Sequence, residues 1–429
     1  MADFPVRQGQ TVQLNIEDLT SEGNGVGRYH GLAVFVGDAL PGEEVIAQIT
    51  EVKKKYSRAK LLEVLTASEQ RIAPRCNHFE YCGGCTLQHF QYPQQLAWKQ
   101  SVVENALSRI GKIETEVLPV LGMQQPWQYR NKVQFQVGLV DGNKRLGLYA
   151  PGSHQLVPVE TCHLLPEEFS GLVKNFNLLL DKGIPMKQVW LRKSFANGEI
   201  MAVVFTNGEP FTEAEALLKH HDPLVTVAVI NDSNAKMSVV GKPRLKEQIG
   251  KYDFVLSPRA FFQVNTVQAE VLYETARNWA NLTGQETLWD LYCGTGTVGI
   301  FMSEKCRRLV GIELNKAAVQ DAKLNARLNG VKNASFRHGK AEERLKDLWQ
   351  ADDANVVILD PPRQGCDQRL LHQLLELGPE KIIYISCNPA TLARDLKTLS
   401  DAYQIKKVQP VDMFPQTGHV ECVVLIEKK

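Results

Sequence analysis

Long hydrophobic segments are missing from this sequence. No run of apolar residues in its 429 positions is long enough to span a bilayer, and residues 1–10 lack the apolar core of a secretory signal peptide. The composition, with 44% hydrophobic and 23% charged residues, is ordinary for a soluble globular protein. We therefore expect a cytoplasmic, monomeric protein with no membrane partner. Because single cores stop growing well below this length, about two or three domains are expected.

An excess of charge of one sign is also absent, and so is a disulfide framework. The net charge is +1, so any field that attracts nucleic acid must be local. The densest basic stretch consists of Lys53, Lys54, Lys55, Arg58 and Lys60, which is either an RNA-binding face or a solvated strand or loop. Nine cysteines, an odd number, argue against disulfides in a cytoplasmic chain. We expect the cysteines to act as ligands or nucleophiles.

Residues 1–66 predict a small antiparallel β-barrel of the OB type, which is a common platform for single-stranded RNA. Strands are predicted at residues 12–16, 32–36 and 44–49. Glycine-rich turns at residues 23–27 and 41–42 are predicted to separate them.

Residues 67–252 and 253–429 differ in predicted architecture. The central α/β region mixes strands, as at residues 132–137, with helices, as at residues 94–110, and contains a cluster of cysteines. In the C-terminal region strands alternate with helices, which predicts a doubly wound parallel sheet with right-handed crossovers. Its strands are predicted at residues 288–292, 308–313, 334–338, 356–359 and 381–386, with a last antiparallel edge strand at 421–426.

A glycine-rich loop joins the first strand of this sheet to the next helix. Gly294, Gly296 and Gly299 let a ligand approach the backbone and the free N–H groups of the helix start. Ligands of open α/β sheets bind at this edge, and Glu313 at the end of the next strand suits a ribose diol. The loop indicates an adenosine-type cofactor but leaves open which one, since the spacing also fits the G-x-G-x-x-G of nicotinamide dehydrogenases.

Three reactive side chains occur at the ends of later strands. Asp360 begins an Asp-Pro-Pro-Arg loop, in which Arg363 replaces the aromatic residue of amino-methyltransferases and so disfavours N-methylation. Cys387 ends the next strand, and the helix after it is expected to lower the thiol pKa and favour a thiolate. Glu421 opens the last strand, where a buried carboxylate is costly unless it has a task. The alternatives are a structural cysteine and a surface glutamate.

Together these groups predict one reaction. Carbon 5 of uracil is too weak a nucleophile to attack a methyl sulfonium unaided. A thiolate that adds at carbon 6 activates carbon 5, which takes the methyl group, and a base then removes the proton from carbon 5. We assign Cys387 as nucleophile and Glu421 as base. A uracil within an RNA loop must be flipped out of its stack to reach them.

A second set of cysteines lies far from Cys387 in sequence. Cys76, Cys82 and Cys85 fall within one predicted loop, and Cys162 is a candidate fourth ligand. Both zinc and iron–sulfur clusters accept four thiolates, so the spacing does not choose between them. The spacing differs from the C-x3-C-x2-C loop of radical S-adenosylmethionine enzymes, which disfavours radical chemistry.

The chain resembles the RNA uracil-5-methyltransferases, and within them the branch that modifies 23S ribosomal RNA. The resemblance rests on five motifs, at residues 261–265, 290–296, 360–363, 386–389 and 418–421. Residues 1–66 resemble a TRAM domain. The resemblance implies S-adenosylmethionine as methyl donor, a specific uracil of 23S ribosomal RNA as target, and the roles given above for Cys387 and Glu421.

The resemblance also implies two sets of binding residues. A [4Fe-4S] cluster is implied on Cys76, Cys82, Cys85 and Cys162, serving folding or RNA binding rather than redox catalysis. The implied cofactor contacts are Gln263, Tyr292, Thr297, Glu313, Lys340 and Asp360. Lys340 departs from the family pattern, which has an asparagine there.

Three other functions remain open from the sequence alone. A related enzyme that methylates the T-loop of transfer RNA would carry the same motifs. A nicotinamide oxidoreductase would use the glycine-rich loop but leaves Asp360, Cys387 and Glu421 unexplained. A non-enzymatic RNA-binding or assembly protein would use only the barrel and the cysteines.

Overall fold

The computed structural model describes residues 5–349 and 355–429. Its first unit is a closed barrel of strands in the order β1-β2-β3-β5-β4. These strands are β1 (Thr11–Leu19), β2 (Gly25–Tyr29), β3 (Leu32–Val36), β4 (Glu44–Val52) and β5 (Tyr56–Thr66). Alternate residues such as Val12, Leu14 and Ile16 point into the barrel core, as the period-2 pattern predicts.

Two details of the predicted barrel are wrong. The barrel is not wholly antiparallel, because β3 and β5 pair in parallel where it closes. Residues 25–27 are not part of a turn but begin β2, where a side chain at Gly25 or Gly27 would meet a backbone oxygen at 2.9 Å. These glycines allow neighbouring strands to pack closely. In the sequence alone they look the same as the glycines of a turn.

The middle of the chain forms a seven-stranded sheet in the order β12-β11-β10-β9-β6-β7-β8. The strands are β6 (Lys132–Val140), β7 (Asn143–Tyr149), β8 (Leu156–Pro158), β9 (Gln188–Lys193), β10 (Ile200–Thr206), β11 (Leu224–Asn231) and β12 (Lys236–Gly241). Helices α2 (Glu168–Asp181) and α3 (Ala214–His220) cover one face. Phe169 and Phe176 of α2 are buried against it.

Helix α1 (Tyr92–Ala106), which precedes this sheet, ends in a π-helical turn, Leu107–Gly111. Its residues Val103 and Ala106 share a core with the C-terminal sheet rather than with the central one. The hairpin β13 (Leu245–Ile249) and β14 (Tyr252–Leu256) likewise joins the core of the C-terminal unit. The domain borders expected after residues 66 and 252 stay a prediction.

The C-terminal unit alternates strands and helices. Its helices are α4 (Thr266–Ala280), α5 (Thr297–Met302), α6 (Lys316–Leu328), α7 (Ala341–Leu348), α8 (Gln368–Leu377) and α9 (Pro389–Leu399). Its strands are β15 (Thr287–Asp290), β16 (Arg308–Glu313), β17 (Ala334–His338), β18 (Asn355–Leu359), β19 (Lys381–Ser386), β20 (Tyr403–Val411) and β21 (Glu421–Lys428). They form one sheet in the order β17-β16-β15-β18-β19-β21-β20.

The predicted doubly wound parallel sheet is confirmed. β15 to β19 are parallel to one another, with a core on each face of the sheet. The order reverses between β15 and β18, and ligands bind outside such a switch point. β21 is antiparallel as predicted, but it is not an edge strand, because it lies between β19 and β20. Its unbroken apolar run, which is typical of a strand buried on both faces, already pointed to this position.

Among the described residues, no helix combines the length and the apolar composition needed to cross a membrane.

Candidate active site

The glycine-rich loop lies at the switch point, between β15 and α5. Gly294 and Gly296 have φ values of +51° and +82°, in the left-handed region that favours glycine. The backbone N–H of Gly294 donates to Oε2 of Glu313 at 3.1 Å, and the N–H of Gly299 donates to Oδ2 of Asp290 at 3.0 Å. The two carboxylates therefore fix the loop from both sides.

Asp290 is a functional candidate that the sequence analysis did not single out. It is fully buried, and its second oxygen, Oδ1, has no hydrogen-bond partner among the described residues. Burial, and then Asp360 and Glu313, raise the pKa of Asp290 to about 7. One feature of the sequence could have identified Asp290 as functional, because it is the first residue of the motif at 290–296. Because uncompensated carboxyl groups attract positive charge, this edge suits a cationic ligand.

The residues implied as cofactor contacts are spread over several loops. Thr297 begins α5, where its hydroxyl lies 3.4 Å from that of Tyr273. Tyr292, whose pKa is raised by burial and by Cys366, follows β15. Gln263 precedes α4, and its carbonyl accepts a hydrogen bond of 2.9 Å from Asn131.

Lys340 differs from the other implied contacts. It lies just after β17 at the start of α7, and its side chain is about half exposed. Its ammonium pairs with Glu343 on the same helix at 3.3 Å. Its only ion pair in the described part of the chain therefore runs along α7, not toward the glycine loop.

The loops after β18 and β19 are joined at the same edge of the sheet. Asn388 caps α9 by accepting from the N–H of Ala390, and its Nδ2 donates to the carbonyl of Arg363 at 3.1 Å. Thr391 donates to that same carbonyl at 3.2 Å. The Asp-Pro-Pro-Arg loop is thereby held against the residue that precedes the cap, Cys387.

Asp360, Cys387 and Glu421, which are distant in sequence, meet at this edge. Burial, and then Glu421 and Asp360, raise the pKa of the Cys387 thiol to about 11, and Arg363 opposes them. Glu421 is 5% exposed, and burial followed by Asp360 raises its pKa well above the usual value. Burial raises the pKa of Asp360 to about 7.

The expected lowering of the Cys387 pKa is therefore wrong. The cysteine does precede the N-terminus of α9, but the dipole effect of a helix end is small beside desolvation and two nearby acids. Both shifts favour the protonated forms of Cys387 and Glu421, and a positive charge added at this edge would oppose them. A second residue missed from the sequence, His419, has its Nε2 3.3 Å from Arg363.

The cysteines of the loop at residues 76–85, called the cysteine loop below, share a cavity with Cys162. All four of these cysteines line one cavity of about 340 Å³. Burial raises the pKa of Cys85 to about 12, and neighbouring cysteines add to the shift. Gly83 allows the loop to pass close to β7, since a side chain there would meet the carbonyl of Tyr149 at 2.8 Å. Within residues 5–349 and 355–429, no three His, Cys, Asp or Glu side chains are close enough to hold a single metal ion.

Three basic side chains, Arg130, Lys132 and Arg192, line this cysteine cavity. Burial, and then Arg192, lower the pKa of Lys132 to about 7, so the two arginines carry most of the positive charge. Arg192 is 4% exposed; one of its nitrogens donates to the carbonyl of Ala260 at 3.0 Å, and Nη1 has no partner among the described residues. The charge of the cavity wall thus suits an anionic group.

The sheet order, the glycine loop and the acidic strand ends define a class I methyltransferase fold. Comparison with known proteins agrees. A sequence family described as tRNA (uracil-5-)-methyltransferase matches residues 91–429, and the TRAM domain matches residues 5–62. An RNA methyltransferase of Clostridium tetani is 39% identical, over 99% of this chain and 98% of the relative. One from Halalkalibacterium halodurans is 40% identical, with the same coverage.

A solved structure is similar along nearly the whole chain. The tRNA (uracil-54, C5)-methyltransferase of Pyrococcus abyssi, in complex with S-adenosyl-L-homocysteine, has a TM-score of 0.79 and 25% identity. The match covers 96% of this chain and 99% of that one. The chain belongs to the RNA uracil-5-methyltransferase family and is an RNA methyltransferase with an N-terminal TRAM domain. The nicotinamide oxidoreductase and the non-enzymatic alternatives are set aside.

Proposed function

We propose that the protein transfers the methyl group of S-adenosylmethionine to carbon 5 of a flipped-out uracil in RNA, with Cys387 as nucleophile and Glu421 as base. The observation that carries the proposal is strand pairing, which places Asp360, Cys387 and Glu421 at neighbouring strand ends: Leu359 pairs with Tyr384, and Ser386 pairs with Cys422. A thiol and a buried carboxyl in one site are the two groups that the reaction requires.

Bound S-adenosylmethionine supplies an electrophilic methyl group and a positive charge. A positive charge beside Asp360 lowers the pKa of its acidic neighbours, which favours release of the protons on Cys387 and Glu421. The thiolate of Cys387 then forms a bond to carbon 6 of uracil, and the electron pair of the double bond moves to carbon 5. Carbon 5 takes the methyl group as the bond from that group to the sulfonium sulfur breaks, and S-adenosylhomocysteine leaves. Glu421 removes the proton of carbon 5, and the bond from Cys387 to carbon 6 breaks.

For cofactor binding we propose Gln263, Tyr292, Thr297, Glu313, Lys340 and Asp360. Glu313 and Thr297 have the strongest support, because both belong to the glycine loop and the strand end beside it. Lys340 has the weakest, because its ammonium is engaged by Glu343.

We further propose that Cys76, Cys82, Cys85 and Cys162 hold a [4Fe-4S] cluster. The cysteines fit this group, because four thiols line one cavity together with basic side chains. Both zinc and a cluster accept four thiolates, and the cluster is preferred on the family resemblance of the cysteine set. The cluster would supply a structural cross-link here and would take no direct part in the chemistry of methyl transfer.

A uracil of 23S ribosomal RNA is the proposed substrate, because the TRAM domain and the cysteine set together resemble that branch. Transfer RNA is the second candidate, because the similar Pyrococcus abyssi enzyme is named for uracil 54 of transfer RNA. To decide between them, anaerobically purified protein is incubated with labelled S-adenosylmethionine and unmodified transcripts of both RNAs, and 5-methyluridine is mapped. Label in 23S ribosomal RNA supports the proposal, and label only in transfer RNA would show that transfer RNA is the substrate. Label in neither, from protein that binds the cofactor, contradicts the function.

A further inference from the structure

Residues 412–420 connect β20 to β21 and directly precede Glu421 in the chain. They are called the approach segment here. The two residues that follow Cys85 hold this segment. The backbone N–H groups of Thr86 and Leu87 donate to the carbonyl of Gln416, at 3.0 and 3.1 Å. In return, the N–H of Gly418 donates to the hydroxyl of Thr86 at 3.0 Å. Three hydrogen bonds therefore join the end of the cysteine loop to the chain just before Glu421.

The clamped part of the approach segment has a strained backbone. Gln416 is not a glycine, yet its φ is +69°, and such residues keep this conformation only where the surroundings enforce it. Gln416 is 3% exposed and makes two hydrogen bonds with the side chain of Gln95, at 3.0 and 3.1 Å. Its conformation therefore depends on the residues around it, among which Thr86 and Leu87 supply the backbone contacts.

The earlier part of the approach segment has separate anchors. The buried ion pair of Lys99 with Asp412, at 2.5 Å, ties its start to α1, and Lys99 also donates to the carbonyl of Phe414. The hydroxyl of Tyr129 donates to the carbonyl of Pro415 at 2.9 Å. Movement of the cysteine loop would consequently act on residues 416–420 and leave residues 412–415 in place.

We propose that Thr86 and Leu87 are positioning residues through which occupancy of the four cysteines sets the position of Glu421. When Cys85 is held with the other three cysteines by a common group, the next two residues are fixed, and they fix Gln416 and Gly418. When that group is lost, the clamp loosens, and the chain that leads into Glu421 no longer restrains the start of β21, where Glu421 pairs with Val411. This inference rests on the proposed function, in which Glu421 is the base.

The first test measures amide hydrogen exchange on the anaerobic, metal-loaded protein and on the same protein after chelation. Stripping the metal is expected to speed exchange at residues 416–420 by about tenfold, because local opening follows the loss of its restraints. Residues 412–415 and α6 should change little. Faster exchange in the cysteine loop with no change at residues 416–420 would overturn the proposal.

The second test separates positioning from a general loss of structure. Thr86→Val removes the hydroxyl that accepts from Gly418, Thr86→Ser keeps it, and Thr275→Val removes a comparable hydroxyl bond within α4. Thr86→Val is expected to speed exchange at residues 419–421 by about fivefold and to lower kcat with KM unchanged, and Thr86→Ser to restore both. Equal effects from Thr86→Val and Thr275→Val would contradict the proposal.

The exchange data also keep this inference apart from the proposed function. If stripping loosens residues 416–420 in a protein that methylates no uracil, the coupling stands and the function fails. If the protein makes 5-methyluridine, but exchange at residues 416–420 is unchanged by removal of the metal and by Thr86→Val, the function stands and the coupling fails.

Discussion

Cys387 and the cysteine loop place thiols in surroundings of opposite charge. The ionisable groups that act on the Cys387 thiol are the acids Glu421 and Asp360, opposed by Arg363. The lining of the cysteine cavity instead includes the basic side chains Arg130, Lys132 and Arg192. Burial is the main cause of the raised thiol pKa at both places, so burial alone does not distinguish a nucleophile from a ligand. The neighbours do, because the acidic edge favours a bound cation and the basic cavity favours a bound anion.

Replacing Cys387 has the largest expected effect. Cys387→Ala should lower methyl transfer by roughly 10⁴-fold or more, because no other group at the edge can add to carbon 6. Cofactor affinity and iron content should stay as in the wild type. Cys306→Ala, at a buried cysteine away from the edge, is the matched control, and turnover by Cys387→Ala near the control rate would exclude the assigned role.

Glu421→Gln should separate the two halves of the reaction. The amide cannot accept the proton of carbon 5, so turnover should fall by about 10²- to 10⁴-fold while a covalent RNA–protein adduct accumulates. Denaturing gel electrophoresis with labelled RNA measures the adduct. A variant with the wild-type rate and no adduct would remove Glu421 from the mechanism.

Replacing a cysteine of the cavity should remove the iron but only slow methyl transfer. Replacing Cys387 should do the reverse, abolishing methyl transfer while the iron stays bound. Cys85→Ser should lose most of its iron and sulfide, since a [4Fe-4S] cluster needs four thiolates. Residual methyl transfer should be slow but detectable. Iron and sulfide analysis of Cys85→Ser beside Cys387→Ala checks the contrast. Zinc in place of iron in the wild type would overturn the cluster.

The acidic edge predicts a pH dependence of cofactor affinity. Asp290 and Asp360 have pKa values raised to about 7, so they are ionised above that pH and become protonated as it falls. Affinity for S-adenosylmethionine should therefore weaken below pH 7, by up to about tenfold per pH unit for each group involved. S-adenosylhomocysteine, which lacks the sulfonium charge, should show a shallower dependence in calorimetry. Equal slopes for the two ligands would contradict an electrostatic role of this edge.

The sequence was informative where local pattern and chemistry coincide. Alternating strands and helices predicted the parallel sheet, and the residues at the strand ends predicted which side chains meet at its edge. The prediction for Cys387 was wrong because a pKa depends on neighbours from distant strands, here Asp360 and Glu421, which no local pattern reveals. The position of β21 and the parallel closure of the barrel likewise depend on long-range pairing. The contacts from Thr86 to Gln416 and Gly418 join residues more than 300 positions apart, and sequence spacing gives no sign of them.

The most direct test of the central claim is to trap the bond to Cys387. The anaerobic protein is incubated with S-adenosylmethionine and an RNA transcript that carries 5-fluorouridine, whose fluorine cannot be removed as a proton, and the complex is digested for mass spectrometry. A methylated nucleotide attached to Cys387 is expected in the wild type and not in Cys387→Ala. Attachment to another residue, or methylation of ordinary transcript with no adduct on the fluorinated one, would contradict it.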